Sequence, residues 1–421
     1  MSGRSLALDG AGRLARPALL QRPGLGAVID LLDRDGEQAR VVGGAVRDAL
    51  LGRPVADTDL ATTAEPSEVI RRADAAGLRW IPTGILHGTV TVLSAGAPIE
   101  VTTLRRDVET DGRHAVVRFS RDFREDALRR DFTINALSLT ADGLVHDEVG
   151  GLADLAAGRV RFIGDPEERI AEDRLRILRF FRFHATHGEG ELDADGLAAV
   201  RQNPTALALL SRERVRTELM KLLAAPGAPP VLATMERLGL LAGILGGPAD
   251  VDGFKRLAAN AARCGCGVDP VLGLAALTGG GAQLRTALRL SNAEVARLAA
   301  AMAARGRLDP AHSPDRNDGL ALLMEFGRQG AGDGAALAAA AAADPASWDA
   351  ARDLLDREPP PTLPLGGAAV KARGVTDGPL VGATLKLFQA AWIRAGFPRD
   401  PATLAALLDA ALAQASPAAT D

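Results

Sequence analysis

The sequence predicts an α+β fold, with a small mixed-sheet head followed by an elongated all-helical neck, body and tail. Strand-like apolar runs occur only before Asp165, and from there on apolar residues recur at helical spacing. Apolar residues make up 47% of the chain but aromatics only 3%, and tyrosine is absent, so alanine and leucine must build much of the core. That composition suits close-packed helices. At 421 residues the chain is long for one core. The expected division is an N-terminal arm (1–25), head (26–150), neck (151–225), body (226–357) and tail (358–421). Proline-bearing junctions at Asn203-Pro204, 225–230 and 358–364 mark helix breaks, because proline disfavours helix in the residue before it.

Residues 1–25 are polar and rich in glycine and arginine, which reads as a loose arm running into a helix. Residues 25–32 carry apolar side chains at helical spacing and should pack on the sheet. Strands are expected at 38–42, 55–60, 88–93, 99–104 and 137–139 with Val145; helices between them are expected at 45–51, 67–76 and 126–136. Residues 334–343 are almost pure alanine, which implies a tightly packed or solvent-bridging helix. Gly374 to Gly382 leads into a last helical unit and reads either as a plain turn or as a backbone cradle for a phosphate.

Chemistry concentrates in Val41-Val42-Gly43-Gly44-Ala45-Val46-Arg47-Asp48 and Asp57-Thr58-Asp59-Leu60-Ala61-Thr62. Gly43 and Gly44 end a buried strand and let the backbone approach a ligand closely, and the helix that follows points free N–H groups at an anion. Asp57 and Asp59 stand at i and i+2, so in a strand their carboxylates share one side. They repel each other there unless a cation intervenes, and Mg²⁺ bridging to a triphosphate is a natural occupant. Taken alone, Asp-x-Asp also reads as a surface turn and Gly-Gly as a tight turn. A dinucleotide-binding fingerprint is disfavoured, since its third glycine and its ribose-binding acid are missing.

The combined motif resembles the nucleotidyltransferase head of the polymerase-β superfamily, in particular the class II group of CCA-adding tRNA nucleotidyltransferases and bacterial poly(A) polymerases. Further signatures follow in order. Arg129-Arg130-Asp131-Phe132-Thr133-Ile134-Asn135-Ala136-Leu137 is similar to the second motif of the group. Glu172-Asp173-Arg174-Leu175-Arg176-Ile177-Leu178-Arg179-Phe180-Phe181-Arg182-Phe183 is similar to its nucleotide-selecting helix. Gly150 to Leu155, Ile163 to Pro166, and Ser211 to Leu223 fit the connecting segment and the next helix. The resemblance runs from about residue 38 to 225 and is thin beyond.

The resemblance implies template-independent addition of the 3′-terminal CCA to tRNA from CTP and ATP, with release of pyrophosphate. Poly(A) polymerase and partial CC- or A-adding activity are the alternatives. Asp57 and Asp59 are then catalytic and hold two Mg²⁺ ions, with Glu100 as a candidate third carboxylate or an ordinary strand-end acid. Gly43, Gly44, Arg47 and, by resemblance, Arg130 bind the triphosphate, although Arg47 could instead pair with Asp48 or Asp57. Asp131 and Asn135 fall one helical turn apart and could line the same site, whereas His87 reads as a packed or sheet-edge residue. Asp173 and Arg176 are three apart, so on a continuous helix they face one base together. A carboxylate and a guanidinium match the amine and ring nitrogen of cytosine or adenine, and reject uracil and guanine by leaving charged groups unpaired. Arg179 and Arg182 continue the stripe and are nucleotide-proximal by resemblance, but helical rotation carries Arg182 nearly opposite Asp173. Residues 105–114 are similar to the flexible loop of enzymes that complete all three additions.

A formal net charge of −4 argues against indiscriminate nucleic-acid binding, so an interface with the tRNA 3′ end and acceptor arm must come from local clusters. Arg105, Arg106, Arg113, Arg118, Arg121 and Arg124 form one such cluster. Only Lys221, Lys255, Lys371 and Lys386 are lysines, so positive charge is almost entirely arginine, the better residue for bidentate phosphate contacts. Cys264 and Cys266 lack the partners of a zinc site and are expected to be reduced. With no signal-like or membrane-length apolar run, the expectation is a cytoplasmic protein with no membrane contact and no implied protein partner.

Overall fold

The computed structural model describes residues 4–15, 17–110, 115–203 and 205–415. The chain divides into two compact units, 1–244 and 245–421. The first opens with α1 (Leu25–Leu32), whose Leu25, Val28, Ile29 and Leu32 are buried. It continues through β1 (Ala39–Val42), α2 (Gly44–Leu50), β2 (Asp59–Thr62), α3 (Pro66–Ala75), β3 (Arg79–Gly84), β4 (Thr89–Ser94) and β5 (Ala97–Thr103). Next come β6 (Arg105–Thr110), β7 (Ala115–Phe119), α4 (Phe123–Leu128), β8 (Ser138–Leu139) and β9 (Val145–His146). Seven strands form one sheet in the order β3-β4-β5-β2-β1-β8-β9, while β6 and β7 make a separate two-stranded ribbon. Within the large sheet only β2 and β5 run parallel. The expected mixed-sheet head is therefore present. Val41, Leu60, Val90 and Val101 lie at 0–1% exposure, as central strands covered by helices should.

Three expectations need correction. The strand expected at 55–60 begins only at Asp59, because 51–58 remain a loop around Arg53-Pro54. The helix expected at 126–136 stops at Leu128 and resumes as a single 3₁₀ turn, Thr133–Asn135. The loose N-terminal arm is tied down, since Ala7 donates to Leu50, Leu14 to Gly143, and Arg4 pairs with Glu189 at 2.6 Å. Strand β3 escaped the sequence reading because it is an edge strand with Pro82 and little burial, so it carries no alternating pattern. The segment 105–114 contributes to the ribbon, and 111–114, including Arg113, lie outside the described residues.

Helices follow: α5 (Gly151–Ala156), α6 (Pro166–Glu172), α7 (Arg176–His187), α8 (Ala194–Gln202), α9 (Arg212–Leu223), α10 (Ala228–Arg237) and α11 (Leu240–Leu245). Phenylalanine is scarce, yet four of these rings meet where α7 joins the head. Phe132 lies 4.9, 6.3 and 5.4 Å from Phe162, Phe180 and Phe183. Such aromatic contacts add about 0.5–1.5 kcal/mol each beyond burial. They lock α7 against the loop that bears Arg130 and Asp131.

The second unit is all-helical, with α12 (Val251–Arg263), α13 (Pro270–Thr278), α14 (Gln283–Leu288), α15 (Asn292–Gly306), α16 (Arg316–Ala341), α17 (Asp349–Arg357), α18 (Gly367–Lys371), α19 (Gly378–Arg394) and α20 (Pro401–Ala415). Ser291 and Glu294 form a full capping box on α15. The alanine-rich run is tightly packed, as one of its two readings required. A Cβ on Gly334 of α16 would stand 2.5 Å from the Ala304 Cβ of α15. Phe388, Trp392, Leu404 and Leu408 join α19 to α20 in a second apolar cluster. Cys264 and Cys266 are free thiols. Among the described residues no helix is long and apolar enough to cross a membrane.

Candidate active site

Strand β1 ends at Val42, and the chain turns through Gly43 into α2. Gly43 adopts φ 73° and ψ −130°, a conformation that L side chains rarely take. A Cβ there would stand 3.0 Å from Nη1 of Arg130, so the glycine also admits that guanidinium. Gly43, Gly44, Arg47, Asp59, Arg129, Arg130, Asp131, Asn135, Asp173, Arg176, Arg179, Arg182 and Phe183 line one cavity of about 470 Å³. All the expected nucleotide-binding residues are thus brought together, and Asp59 joins them. Asp57 and Glu100 line an adjoining cavity of about 440 Å³, which Asp59 shares.

Asp59 starts β2 opposite Glu100 of β5 in register, so their side chains emerge on the same sheet face. Asp57 lies in the preceding loop, which corrects the expectation that one strand presents both aspartates. Partial desolvation by the cleft walls, then the charges of Glu100 and Asp57, raise the Asp59 pKa, with Arg130 opposing. Among the described residues no three His, Cys, Asp or Glu side chains converge as a group that could hold a metal ion. An open arrangement suits Mg²⁺, which usually takes one or two carboxylates plus water and substrate phosphates. The like-charge repulsion around Asp59 is the observation that fits a cation here.

The arginines are heavily braced. Arg47 is buried, gripping Asp48 with Nε and Nη2 at 2.9 Å each and donating from Nη1 to Asn135 Oδ1 at 2.5 Å. Of the pairings left open by the sequence, that with Asp48 is the one realised. Arg130 donates to Asp126 at 3.1–3.2 Å and to the Asn135 carbonyl at 3.2 Å. Asp131 accepts from Asn135 at 3.1 Å, so those two do share the site despite the broken helix. Burial alone would raise the Asp131 carboxyl, but Arg179, Asn135 and the Phe132 N–H outweigh it and hold its pKa down. His87 is exposed in a 3₁₀ turn, and its carbonyl accepts from Arg105.

The Glu172–Phe183 segment, expected to select the nucleotide, is not one helix. α6 ends at Glu172, Asp173 is extended (φ −147°, ψ 105°), and α7 begins at Arg176. The 60° argument for Asp173 and Arg176 therefore fails, although both still face the cavity. For the same reason Arg182 is not turned away. Asp173 sits on the turn before α7, so the helix can direct Arg176, Arg179 and Arg182 inward together. Arg176 pairs with Glu172, and Arg179 meets Asp131 at 2.6 Å. Arg182 meets Glu218 at 2.5 Å and lies 3.9 Å over the Phe183 ring. Helix α9 supplies two braces that sequence reasoning missed, Arg214 on Asp173 at 2.7 Å and Glu218 on Arg182. Their i, i+4 spacing places both on one face of α9, but nothing in the sequence ties that face to Asp173 or Arg182. Arg169 was also missed; its Nη2 donates to the carbonyls of Arg129 and Arg130 at 2.5 and 2.7 Å and so fixes the loop beneath the cavity.

Residues 39–161 match the family described as the poly A polymerase head domain, and residues 191–249 match the probable RNA- and SrmB-binding site of polymerase A. The chain is 44% identical over 232 residues to the mitochondrial CCA tRNA nucleotidyltransferase 1 of Danio rerio, covering 54% of each protein. It is also 44% identical over 201 residues to a CCA-adding enzyme of Streptococcus pyogenes, covering 47% of this chain and 49% of that one. It thus spans about half the length of the curated relatives it matches. The solved structure of the Bacillus stearothermophilus CCA-adding enzyme in complex with CTP superposes with a TM-score of 0.73 at 29% identity, over 92% of this chain and 97% of that one. The glycine turn, the arginine-lined cavity and these likenesses point the same way: residues 39–161 match the poly A polymerase head domain, and about half of the chain is similar to CCA-adding enzymes.

Proposed function

We propose that this protein adds the 3′-terminal CCA to tRNA from CTP and ATP without a template, releasing pyrophosphate. The observation that carries the reading is the single cavity joining Asp59 to the Gly43-Gly44 turn and to Asp173, Arg176, Arg179 and Arg182. The names of the relatives, and the CTP complex of the Bacillus enzyme, support it. Gly43 and Gly44 leave room for a triphosphate, and Arg47 and Arg130 offer their remaining N–H groups to its oxygens. Asp57 and Asp59 would hold Mg²⁺, with Glu100 in register beside Asp59, and the ion would lower the pKa of the RNA 3′-hydroxyl and neutralise the triphosphate. Asp173 and Arg176 choose the base. Each already has a protein partner, Arg214 and Glu172, which fixes its position before a nucleotide arrives. Positioning and charge neutralisation then account for most of the catalysis.

The five-part division into arm, head, neck, body and tail belongs to this proposal, with tRNA as partner. So does a cytoplasmic location, supported by the two free thiols and set against the mitochondrial location in the zebrafish relative's name. The head's match to poly A polymerases makes that activity the second reading. The deciding experiment extends a tRNA transcript ending at the discriminator base, beside an unstructured RNA, with each nucleotide and Mg²⁺. Addition of C, C and A to the tRNA alone, then arrest, is expected. Long A tracts on both RNAs would replace the proposal with poly(A) synthesis, and arrest after CC or a need for preformed CC would make it a partial enzyme.

A further inference from the structure

Asp57 lies outside the strand that carries Asp59, so the sheet does not fix it. Its loop is held from elsewhere. The guanidinium of Arg22 donates from Nη1 to the Val55 carbonyl at 3.4 Å and to the Thr58 hydroxyl at 2.7 Å, and from Nη2 to the Ala56 carbonyl at 2.8 Å. These three acceptors bracket Asp57 on both sides. Arg22, Asp57, Asp59 and Glu100 line the same cavity. Arg22 also has a firm footing of its own, between Leu19 and Leu25, which are 4% and 1% exposed. Gly24 follows at φ 79°, and a Cβ there would stand 2.6–2.7 Å from Ser94, so this turn is seated directly against the end of β4.

We infer that Arg22 is a positioning residue for the carboxylate of Asp57, which makes the N-terminal segment, outside the matched head at 39–161, a working part of the active site. The inference rests on the proposed nucleotidyl transfer. Mg²⁺ demands near-ideal octahedral geometry, so a ligand on a loop contributes little unless the loop is held. A planar guanidinium spanning two carbonyls and a hydroxyl fixes the loop in several directions at once. A lysine ammonium is a single point on a flexible stem and does not.

The test uses the full chain with Arg22→Gln, Arg22→Lys and Thr58→Val. Two quantities are read: Mn²⁺ binding in the presence of CTP without RNA, by electron paramagnetic resonance, and the Mg²⁺ dependence of nucleotide addition. Arg22→Gln should raise both the Mn²⁺ Kd and the Mg²⁺ half-saturation about tenfold, as loss of a residue that orients a metal ligand does. KM for CTP should stay within about twofold, since the arginine-lined cavity is untouched. Arg22→Lys, which keeps charge and stem and so guards against misfolding, should behave like Arg22→Gln. Thr58→Val should give a smaller shift in the same direction, and combining it with Arg22→Gln should add nothing, because the bond that Thr58 makes is already lost with Arg22. Wild-type Mn²⁺ affinity in Arg22→Gln, full function in Arg22→Lys, or additive effects with Thr58→Val would each overturn the inference. A wild-type chain that extends no RNA, while Arg22→Gln still weakens Mn²⁺ binding, would overturn the functional proposal and leave the positioning role standing.

Discussion

The carboxyl of Asp59 titrates above the ordinary aspartate range because the cleft walls desolvate it and Glu100 and Asp57 add like charge. A carboxylate raised in the folded state favours folding fully only below the unfolded pKa, and that contribution is lost as pH rises through the folded value. Once ionised, Asp59 therefore works against the fold that carries it. Asp59→Asn should abolish nucleotide addition, by at least about a thousandfold, yet melt higher than wild type in EDTA. Mg²⁺ should raise the melting temperature of wild type and leave that of Asp59→Asn unchanged, and the wild-type response should fade as pH falls through the raised pKa. A lower melting temperature for Asp59→Asn in EDTA would contradict this account. At this scale the candidate residues were legible because their types and order in the chain are local. Their partners were not, since Arg182 on α7 and Asp173 in the turn before it both meet residues of α9, Glu218 and Arg214, more than thirty positions along the chain. Nothing local encodes such pairings.

Elements show a similar divide. β1, α2 and β5 fall close to their expected bounds because buried strands and helix starts leave strong local patterns. β2 begins late and the Glu172–Phe183 stretch breaks at Asp173, and both departures lie at the site. In each case tertiary hydrogen bonds overrule the periodic pattern, from Arg22 to residues 55–58 and from Arg214 to Asp173. The turn from β1 into α2 carries the clearest mutational consequence. Gly43→Ala imposes a side chain on a positive-φ residue and pushes on Arg130. It should cost about 1–3 kcal/mol of stability and raise KM for CTP about tenfold, read by chemical denaturation and steady-state kinetics. A stable variant with unchanged KM would show that Arg130 does not serve the triphosphate.

For the whole molecule, the class of fold was legible and the second unit's packing was not. Composition announced helices beyond Asp165, but only the structure shows that α15 and α16 approach through Gly334 and Ala304. Gly334→Val overpacks that contact and should cost about 1–3 kcal/mol, seen by calorimetry as an earlier transition of the 245–421 unit, while CTP binding by the first unit persists. Loss of CTP binding at temperatures where the first unit stays folded would contradict that independence. The braces on the cavity arginines have an electrical consequence at this same scale. Arg47, Arg130, Arg176, Arg179 and Arg182 face Asp48, Asp126, Glu172, Asp131 and Glu218, so the cleft presents alternating dipoles rather than a positive well. A triphosphate several Debye lengths away feels little pull, and stray polyanions are not concentrated at the mouth. The association rate of CTP should then change less than about threefold between roughly 0.02 and 0.2 M salt in stopped-flow binding. The cavity would admit nucleotides by fit at close range instead of gathering phosphate from a distance, which would suit the proposed addition, in which one polyanion leaves before the next enters.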